Sequence, residues 1–208
     1  MYTCSNCAIH SCMDQNHANM PNNCPMRNEK CMNNAFQKYD EVKDFFITSS
    51  EIEAVGYGEW PRLREVIEFC KRMGYTKIGM AFCVGLKNEA KIIDRIIKAH
   101  GFEVVSVVCK TGGISKELAG IQEEYKLKPG KYEPMCNPIA QAELLNEEQT
   151  QFNIVVGLCV GHDSLFIKHS NALLTTLIAK DRVLAHNPVG AVYCSEGYFK
   201  TRLMPQQE

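Results

Sequence analysis

The chain contains 11 cysteines, and their spacing points to two separate groups of thiols. The first group follows the spacing C-x2-C-x4-C-x11-C-P and consists of Cys4, Cys7, Cys12 and Cys24. A C-x2-C pair fits one tight turn, from which both sulfurs can reach a single ion. Four thiolates suit a tetrahedral zinc ion or a cubane iron–sulfur cluster, and the spacing alone does not choose between them.

The segment around this first group, residues 1–34, is dominated by Asn, Met and Pro and has very few aliphatic residues. It cannot build a hydrophobic core, so we expect a bound metal to hold it together. Its closing Cys-Pro pair is similar to the cysteine-proline that ends bacterial ferredoxin motifs, which favours an iron–sulfur cluster. Cys31 is a surplus thiol, while His10 and His17 are either alternative ligands or solvated loop residues.

A second group of cysteines lies at the ends of predicted elements, where a shared site can form. Cys83, Cys109 and Cys159 each end a predicted strand, and Cys136 precedes a helix on the same edge. Cys159 stands in the turn 157–164, where free N–H groups and the helix dipole lower the pKa of a thiol. Chance burial would scatter cysteines through strand interiors, so we expect a second thiolate site here. The alternative is four unrelated core cysteines.

Polar residues near these cysteines are candidates to contact a substrate or to tune a bound metal. Each also has an ordinary structural explanation, as part of a turn, a helix cap or a charge at a helix start. A catalytic trio of Cys159, His162 and Asp163 is conceivable, but a shared metal site explains Cys159 better, so His162 is interpreted as a neighbour of the metal. The candidates are Lys110, Thr111, Asn137, His162, Asp163, His186 and Asn187.

Residues 35–75 are predicted to form packing helices that support these sites. The apolar and aromatic residues of 35–46 are spaced for one face of a helix, and a second helix is predicted over 60–73. Pro61 fits the first turn of the second helix, and Gly74 fits its end. The residues that predict a loop between the two helices are Ser49, Ser50, Gly56 and Gly58.

From Thr76 onward, short apolar runs alternate with amphipathic stretches. This alternation predicts an α/β fold, with a mostly parallel sheet of four to five strands, flanking helices and right-handed crossovers. Such sheets bind ligands beyond the carboxyl ends of their strands. The predicted strands are 77–83, 103–109, 153–158, 173–179 and, as a possible fifth, 189–193; the predicted helices are 86–100, 115–120 as a possible short helix, 139–146 and 162–170. The expected organisation is a cysteine-rich metal-binding segment 1–34, a helical segment 35–75 and an α/β domain 76–208.

Composition limits the partners and the compartment. With a net charge of -1 and a pI near 6.6, the chain has no general electrostatic reason to bind nucleic acid. No apolar stretch approaches the roughly 20 residues of a membrane span, and no signal-peptide core is recognisable, so we expect a cytoplasmic protein without membrane partners. In a reducing compartment, many cysteines indicate metal or redox chemistry. Cys70 and Cys194 are interpreted as small buried hydrophobic residues.

Six stretches of the sequence together resemble one known family. They are the N-terminal C-x2-C-x4-C-x11-C-P segment and residues 81–86 (AFCVGL), 109–112 (CKTG), 135–143 (MCNPIAQAE), 157–166 (GLCVGHDSLF) and 180–188 (KDRVLAHNP). Over nearly its whole length the chain is similar to the domain of unknown function 1847 family, described as uncharacterised metal-binding proteins of prokaryotes. The resemblance implies metal binding without an established reaction. It assigns no ligands, so the two four-cysteine groups remain predictions from spacing and position.

The leading hypothesis is a cytoplasmic metalloprotein with two cysteine-ligated sites. The N-terminal site holds zinc or an iron–sulfur cluster. The strand-end site holds an iron–sulfur cluster, expected to be 4Fe-4S, with a redox or sulfur-related role and a small molecule or an electron-transfer protein as partner. A non-catalytic zinc-binding or metal-sensing protein is the second hypothesis, and a thiol enzyme with Cys159 as nucleophile is the third.

Overall fold

Short turns build the start of the chain, as its shortage of aliphatic residues requires. The computed structural model describes residues 1–14 and 17–205 and divides the chain into two units, Met1–Val55 and Gly56–Glu208. In the described part of the first unit, Ser11 and Ile52 are the only buried residues. Single 3₁₀ turns occur at Cys4–Asn6, Ser11–Met13 and Pro25–Arg27.

The helices that follow differ from the prediction in their boundaries. Helix α1 (Glu29–Gln37) passes into a 3₁₀ segment (Lys38–Val42) and then into α2 (Lys43–Gly56), so the single helix predicted over 35–46 is wrong. The loop predicted at Ser49 and Ser50 is also wrong, because both residues lie inside α2. Their hydroxyls donate to the carbonyls one turn earlier, at 2.8 and 3.2 Å, which lets serine remain in a helix.

The second unit carries the α/β fold that the sequence predicts. Helix α3 (Arg62–Arg72) matches the second predicted packing helix and buries an apolar face that includes Cys70. Strands and helices then alternate along the chain. They are β1 (Lys77–Phe82), α4 (Lys87–Ala99), β2 (Glu103–Val108), α5 (Pro138–Glu147), β3 (Phe152–Val156), α6 (His162–His169), β4 (Leu174–Ile178), α7 (Val189–Tyr193) and α8 (Lys200–Leu203).

The four strands form one parallel sheet in the order β2-β1-β3-β4. Every residue of β3 is buried, which is expected of a central strand covered on both faces. The ladders pair Phe82 with Val108 on one side and with Val156 on the other. The carboxyl ends of β1, β2 and β3 therefore lie side by side, and the residues that follow them share one edge of the sheet. No helix in the described residues is long and apolar enough to span a membrane.

Three smaller predictions about the second unit are wrong. The possible fifth strand at 189–193 is the short helix α7, which begins directly after Pro188 and buries no side chain. Cys194, which follows it, is exposed rather than buried, whereas Cys70 is buried as expected. The possible helix at 115–120 is a series of turns that begins with an isolated antiparallel bridge between Ser115 and Pro134.

Candidate functional site

Two of the cysteines are positioned directly by the strands that precede them. The Cys83 N–H donates to the carbonyl of Val156 at 3.1 Å, and the Cys109 N–H donates to the carbonyl of Phe82 at 2.9 Å. Each cysteine thus continues the sheet hydrogen bonding by one residue beyond its strand. Because the strands are parallel, both side chains reach the same edge.

Cys136 comes to this edge through the start of α5. The Asn137 N–H donates to the carbonyl of Cys109 at 2.7 Å, which fixes the two cysteine-bearing segments to each other. The Asn137 side chain accepts from the Ala140 N–H at 3.2 Å and so caps α5. Thr111 also has a local partner, since its hydroxyl donates to the carbonyl of Val108 at 2.8 Å. In this structure Asn137 and Thr111 shape the backbone around the cysteines.

Three thiols meet at this edge. Cys109 shares side-chain hydrogen bonds with both Cys83 and Cys136, and its sulfur accepts from the Val84 N–H at 3.3 Å. The bond from Cys109 lowers the pKa of Cys83 to about 4, with help from the Gly85 N–H and from Lys180.

The same central thiol acts on the third member of the group. The bond from Cys109 lowers the pKa of Cys136 to about 5, with further help from the charges of Lys110 and His162. The pKa of Cys109 itself is raised by the bonds to its two neighbours. The trio therefore favours two thiolates flanking one protonated thiol.

Cys159 lies at the same edge of the sheet as the other three cysteines, but its partner is an arginine rather than a thiol. The Arg182 guanidinium donates to the Cys159 sulfur at 2.9 Å, and this bond raises the pKa of Arg182. The Cys159 carbonyl accepts from the N–H groups of His162 and Asp163 at 2.9 and 3.1 Å, so this cysteine lies in the turn that leads into α6, as predicted. The Asp163 carboxylate accepts locally from the Ser164 N–H at 2.8 Å.

All four of these cysteines line one cavity of about 540 Å³. The sheet edge forms one side of it, and the connection between β2 and α5 forms the other. Sequence reasoning missed the basic residues Lys180 and Arg182, although both follow β4 and their position after a parallel strand could have identified them. The cavity is lined by Cys83, Val84, Gly85, Cys109, Lys110, Lys116, Ile121, Tyr125, Leu127, Glu133, Met135, Cys136, Cys159, His162, Lys180 and Arg182.

His186 and Asn187 are not among the described residues that line this cavity. The His186 ring nitrogen Nδ1 accepts from the Asp181 N–H at 3.1 Å, and the His186 N–H donates to the Asp181 carbonyl at 2.8 Å. The Asn187 carbonyl accepts from the Gly190 N–H at 3.1 Å. Both residues thus form the turn that leads into α7, in agreement with their interpretation as part of a turn.

The four N-terminal cysteines also line a common cavity, of about 350 Å³, in the first unit. These are Cys4, Cys7, Cys12 and Cys24. The N–H group of His10, and to a smaller extent that of Ile9, donates to the Cys7 sulfur and lowers the pKa of its thiol. His10 adopts a left-handed backbone conformation with φ 52°, which turns the chain around that sulfur. Cys31 and His17 are not among the described lining residues.

No group of three or more His, Cys, Asp or Glu side chains in residues 1–14 and 17–205 forms a metal site as it stands. The sulfur donors are nevertheless of the type that zinc and iron–sulfur clusters use. Both cavities combine cysteines from separate turns with backbone N–H groups directed at sulfur. The donor chemistry therefore fits such a metal, while the side-chain positions do not form a ready coordination shell.

The fold and the candidate site define a cysteine-rich α/β protein whose parallel sheet carries cysteines along its carboxyl edge. The chain belongs to the DUF1847 family, described as proteins of unknown function, and the family model matches residues 24–177. This match includes the four cysteines of the sheet edge and Cys24. The chain is also 54% identical over 156 residues to the uncharacterized protein MJ0455 of Methanocaldococcus jannaschii, a match that covers 75% of this chain and 78% of the relative.

Proposed function

We propose that the protein binds a soft metal at the sheet edge, as an iron–sulfur cluster held by cysteine thiolates. The observation that carries the proposal is the meeting of Cys83, Cys109, Cys136 and Cys159 in one cavity, from four separate segments of the second unit. Three of the four thiols are also joined through Cys109, which bonds to Cys83 and to Cys136. Cysteine sulfurs that gather in a cavity with basic neighbours are typical of metal and redox sites.

Within this site the four cysteines do not have equivalent surroundings. Cys109 bonds to both Cys83 and Cys136, whereas Cys159 is bonded to Arg182. We infer that the first three are permanent ligands and that Cys159 is the ligand most readily exchanged. A cluster with an exchangeable position supplies a Lewis-acid or sulfur-binding iron, and a fully ligated one supplies electron transfer.

The basic residues of the cavity suit this role. Lys180 bonds to Cys83, Lys110 lies beside Cys136, and Arg182 bonds to Cys159. Lys180 and Lys110 favour the thiolate forms of Cys83 and Cys136 that a metal requires, because an opposite charge nearby lowers the pKa of a thiol. They also offset the negative charge that a thiolate centre brings into a partly buried site.

The N-terminal cavity is proposed to hold a second metal, zinc or an iron–sulfur cluster, with a structural role. The support is the gathering of four cysteines in a unit whose described residues include only two buried ones. A segment without an apolar core needs another source of stability, and metal coordination supplies it in small domains.

The experiment is a metal and sulfide analysis of anaerobically purified protein. We expect iron and inorganic sulfide in the wild type, with broad visible absorption that fades in air. Cys83→Ser should lose the sheet-edge metal while the N-terminal metal remains, whereas Cys159→Ser should hold the sheet-edge metal more weakly, because Cys83, Cys109 and Cys136 still bind it. Cys194→Ser is the matched control, because Cys194 is exposed and lies outside both cavities, and it should retain all metal.

The result also separates this proposal from a non-catalytic zinc or metal-sensing protein. Zinc without iron or sulfide, lost from Cys83→Ser and kept in Cys194→Ser, would identify the zinc protein. Absence of iron and sulfide after strictly anaerobic purification would disprove the cluster, since oxidative loss could then not account for it.

A thiol enzyme is a second candidate, favoured by the Arg182 contact to Cys159 at 2.9 Å. A guanidinium at that distance stabilises a thiolate, which is the nucleophilic form of cysteine. In metal-free folded protein, iodoacetamide should then modify Cys159 faster than exposed Cys194, and Arg182→Gln should remove that preference. An inert Cys159 would exclude this candidate.

A further inference from the structure

The sheet-edge cavity is larger than a metal centre requires. Its volume of about 540 Å³ lies within the range of roughly 300–1,000 Å³ that is usual for small-molecule sites. The four cysteines lie along the sheet edge, whereas residues 110–135 of the β2–α5 connection, which form the opposite wall, contain no cysteine. A metal held by the sulfurs would leave the space against that wall open to a ligand.

The charges that line the cavity favour an anion. Among the described lining residues there are four Lys or Arg side chains and one carboxylate, Glu133, which pairs with Lys116 at 2.6 Å. Lys110, Lys180 and Arg182 remain to face the thiolates. Four thiolates around zinc or a cubane cluster carry about two net negative charges. The three cations therefore leave about one positive charge that the metal centre does not neutralise. One surplus positive charge matches a monoanion such as a carboxylate better than a phosphate dianion.

Apolar side chains lie at the opposite side of the cavity. Tyr125 and Leu127 line it and are 69% and 87% exposed, although both are large and apolar. Leu127 is held in place from its backbone, because its N–H donates to the Glu133 carboxylate at 2.8 Å. The neighbouring Lys126 is buried and bonds to Glu117 and Glu123, which fixes the course of the chain. These apolar groups are thus presented on an ordered wall.

We propose that this cavity binds a small organic carboxylate, with its anionic end at Arg182 and Lys180 and its apolar body against Tyr125 and Leu127. The inference deepens the proposed function and rests on it, because the ligand lies beside the proposed metal centre. The Arg182 fork suits the two oxygens of a carboxylate. Covering Tyr125 and Leu127 removes apolar surface from water and adds affinity.

The test is calorimetric titration of the metal-loaded protein with phenylacetate, acetate and phenethylamine. Phenylacetate has both an anionic end and an apolar body, whereas acetate lacks the body and phenethylamine reverses the charge. We expect phenylacetate to bind at least about tenfold more tightly than either of the others, as the burial of an aromatic group predicts. Equal binding of phenylacetate and phenethylamine would overturn the inference.

Matched variants locate the site. Leu127→Ala should weaken phenylacetate binding about tenfold. Leu118→Ala should not change it, because Leu118 belongs to the same connection and is similarly exposed, at 83%, but does not line the cavity. Equal effects of the two variants would disprove the site. Neither substitution removes a buried side chain, so both proteins should fold.

Metal content is measured on the same samples and keeps the two proposals apart. Arg182→Gln should weaken phenylacetate binding while the metal stays bound through Cys83, Cys109 and Cys136. Protein that contains no metal but binds phenylacetate in a Leu127-dependent way would refute the metal proposal and support the carboxylate site. Protein that contains the metal but shows no preference for phenylacetate would refute the carboxylate site alone.

Discussion

At the residue scale, Gly157 determines how the chain leaves β3 toward Cys159. Its φ of +64° is in the left-handed region, and a Cβ there would lie 2.0 Å from Leu86 Cδ1. Leu86 is itself buried and has little room to move. Glycine is therefore required for two reasons, the backbone conformation and the close contact.

We predict that Gly157→Ala destabilises the fold by about 3 kcal/mol, of which about 1 kcal/mol is the backbone term and the rest is the clash. Gly74→Ala is the matched control, since Gly74 has a φ of +69° but nothing within 4 Å of its Cβ position. The control should lose only about 1 kcal/mol. Urea unfolding measures the free energy of unfolding of both variants. Equal decreases in the two would contradict a clash with Leu86.

Lys180 gives a second prediction at this scale. Cys109 is the largest cause of the lowered Cys83 pKa, which lies at about 4, and Lys180 adds to it. In metal-free protein, Lys180→Met should raise the Cys83 pKa, yet leave it below the usual 9.0 because the Cys109 bond remains.

The measurement is the rate of Cys83 alkylation as a function of pH, read by mass spectrometry. The reactive thiolate should disappear at a higher pH in Lys180→Met than in the wild type. Lys87→Met, a change at an exposed lysine at the start of α4, should keep the wild-type profile. An unchanged profile in Lys180→Met would show that Lys180 does not act on this thiol.

At the scale of elements, the connection between β2 and α5 is the part of the molecule that regular secondary structure explains least. It is ordered by ion pairs: the buried Lys126 ammonium bonds to Glu117 and Glu123, and Lys116 pairs with Glu133. The Lys126 bond is the largest cause of the lowered pKa of both Glu117 and Glu123. Charge pairing thus replaces the missing helix or strand hydrogen bonds.

This connection should loosen in acid. A lowered glutamate pKa contributes stability that is present above the ordinary pKa of about 4.3 and is lost as the pH falls through the lowered value. Hydrogen exchange of residues 115–133, corrected for its intrinsic pH dependence, should show protection near pH 7 that is lost below about pH 4. Lys126→Met should lack this protection both near pH 7 and below about pH 4. Lys131→Met changes an exposed lysine and should behave as wild type.

Helix and strand predictions failed where local and long-range signals disagree. Residues 189–193 have the apolar, β-branched composition of a strand, yet they follow Pro188, which fits the start of a helix, and form α7. Residues 49–50 look like a break, yet their hydroxyls satisfy helix carbonyls inside α2. The four strands of the sheet were predictable because each is a short, strongly apolar run between polar turns.

At the scale of the whole molecule, the two units differ in what stabilises them. The second unit has a buried sheet, whereas the described residues of 1–55 bury only Ser11 and Ile52. A chelator that removes the proposed N-terminal metal should therefore abolish hydrogen-exchange protection in residues 1–34 and leave β1 and β3 protected. Continued protection of residues 1–34 after complete metal removal would contradict a metal-dependent fold.

The sequence alone determined the α/β class, the parallel strands and the position of Cys83 and Cys109 directly after strands, with Cys159 in the turn between β3 and α6. These features follow from local patterns, because apolar runs form strands and parallel strands place their carboxyl ends on one edge. The C-x2-C spacing likewise indicated that Cys4 and Cys7 can reach one site, and both line the N-terminal cavity. In each case the information lies within a few neighbouring residues.

Only the tertiary structure decided which side chains meet. It joined Cys109 to both Cys83 and Cys136, paired Arg182 with Cys159, and gave the cavity a wall of Tyr125 and Leu127. These contacts depend on the sheet order and on the path of a long connection without regular secondary structure. Hydrophobic periodicity does not encode that path, because ion pairs within the connection rather than an apolar face hold it in place.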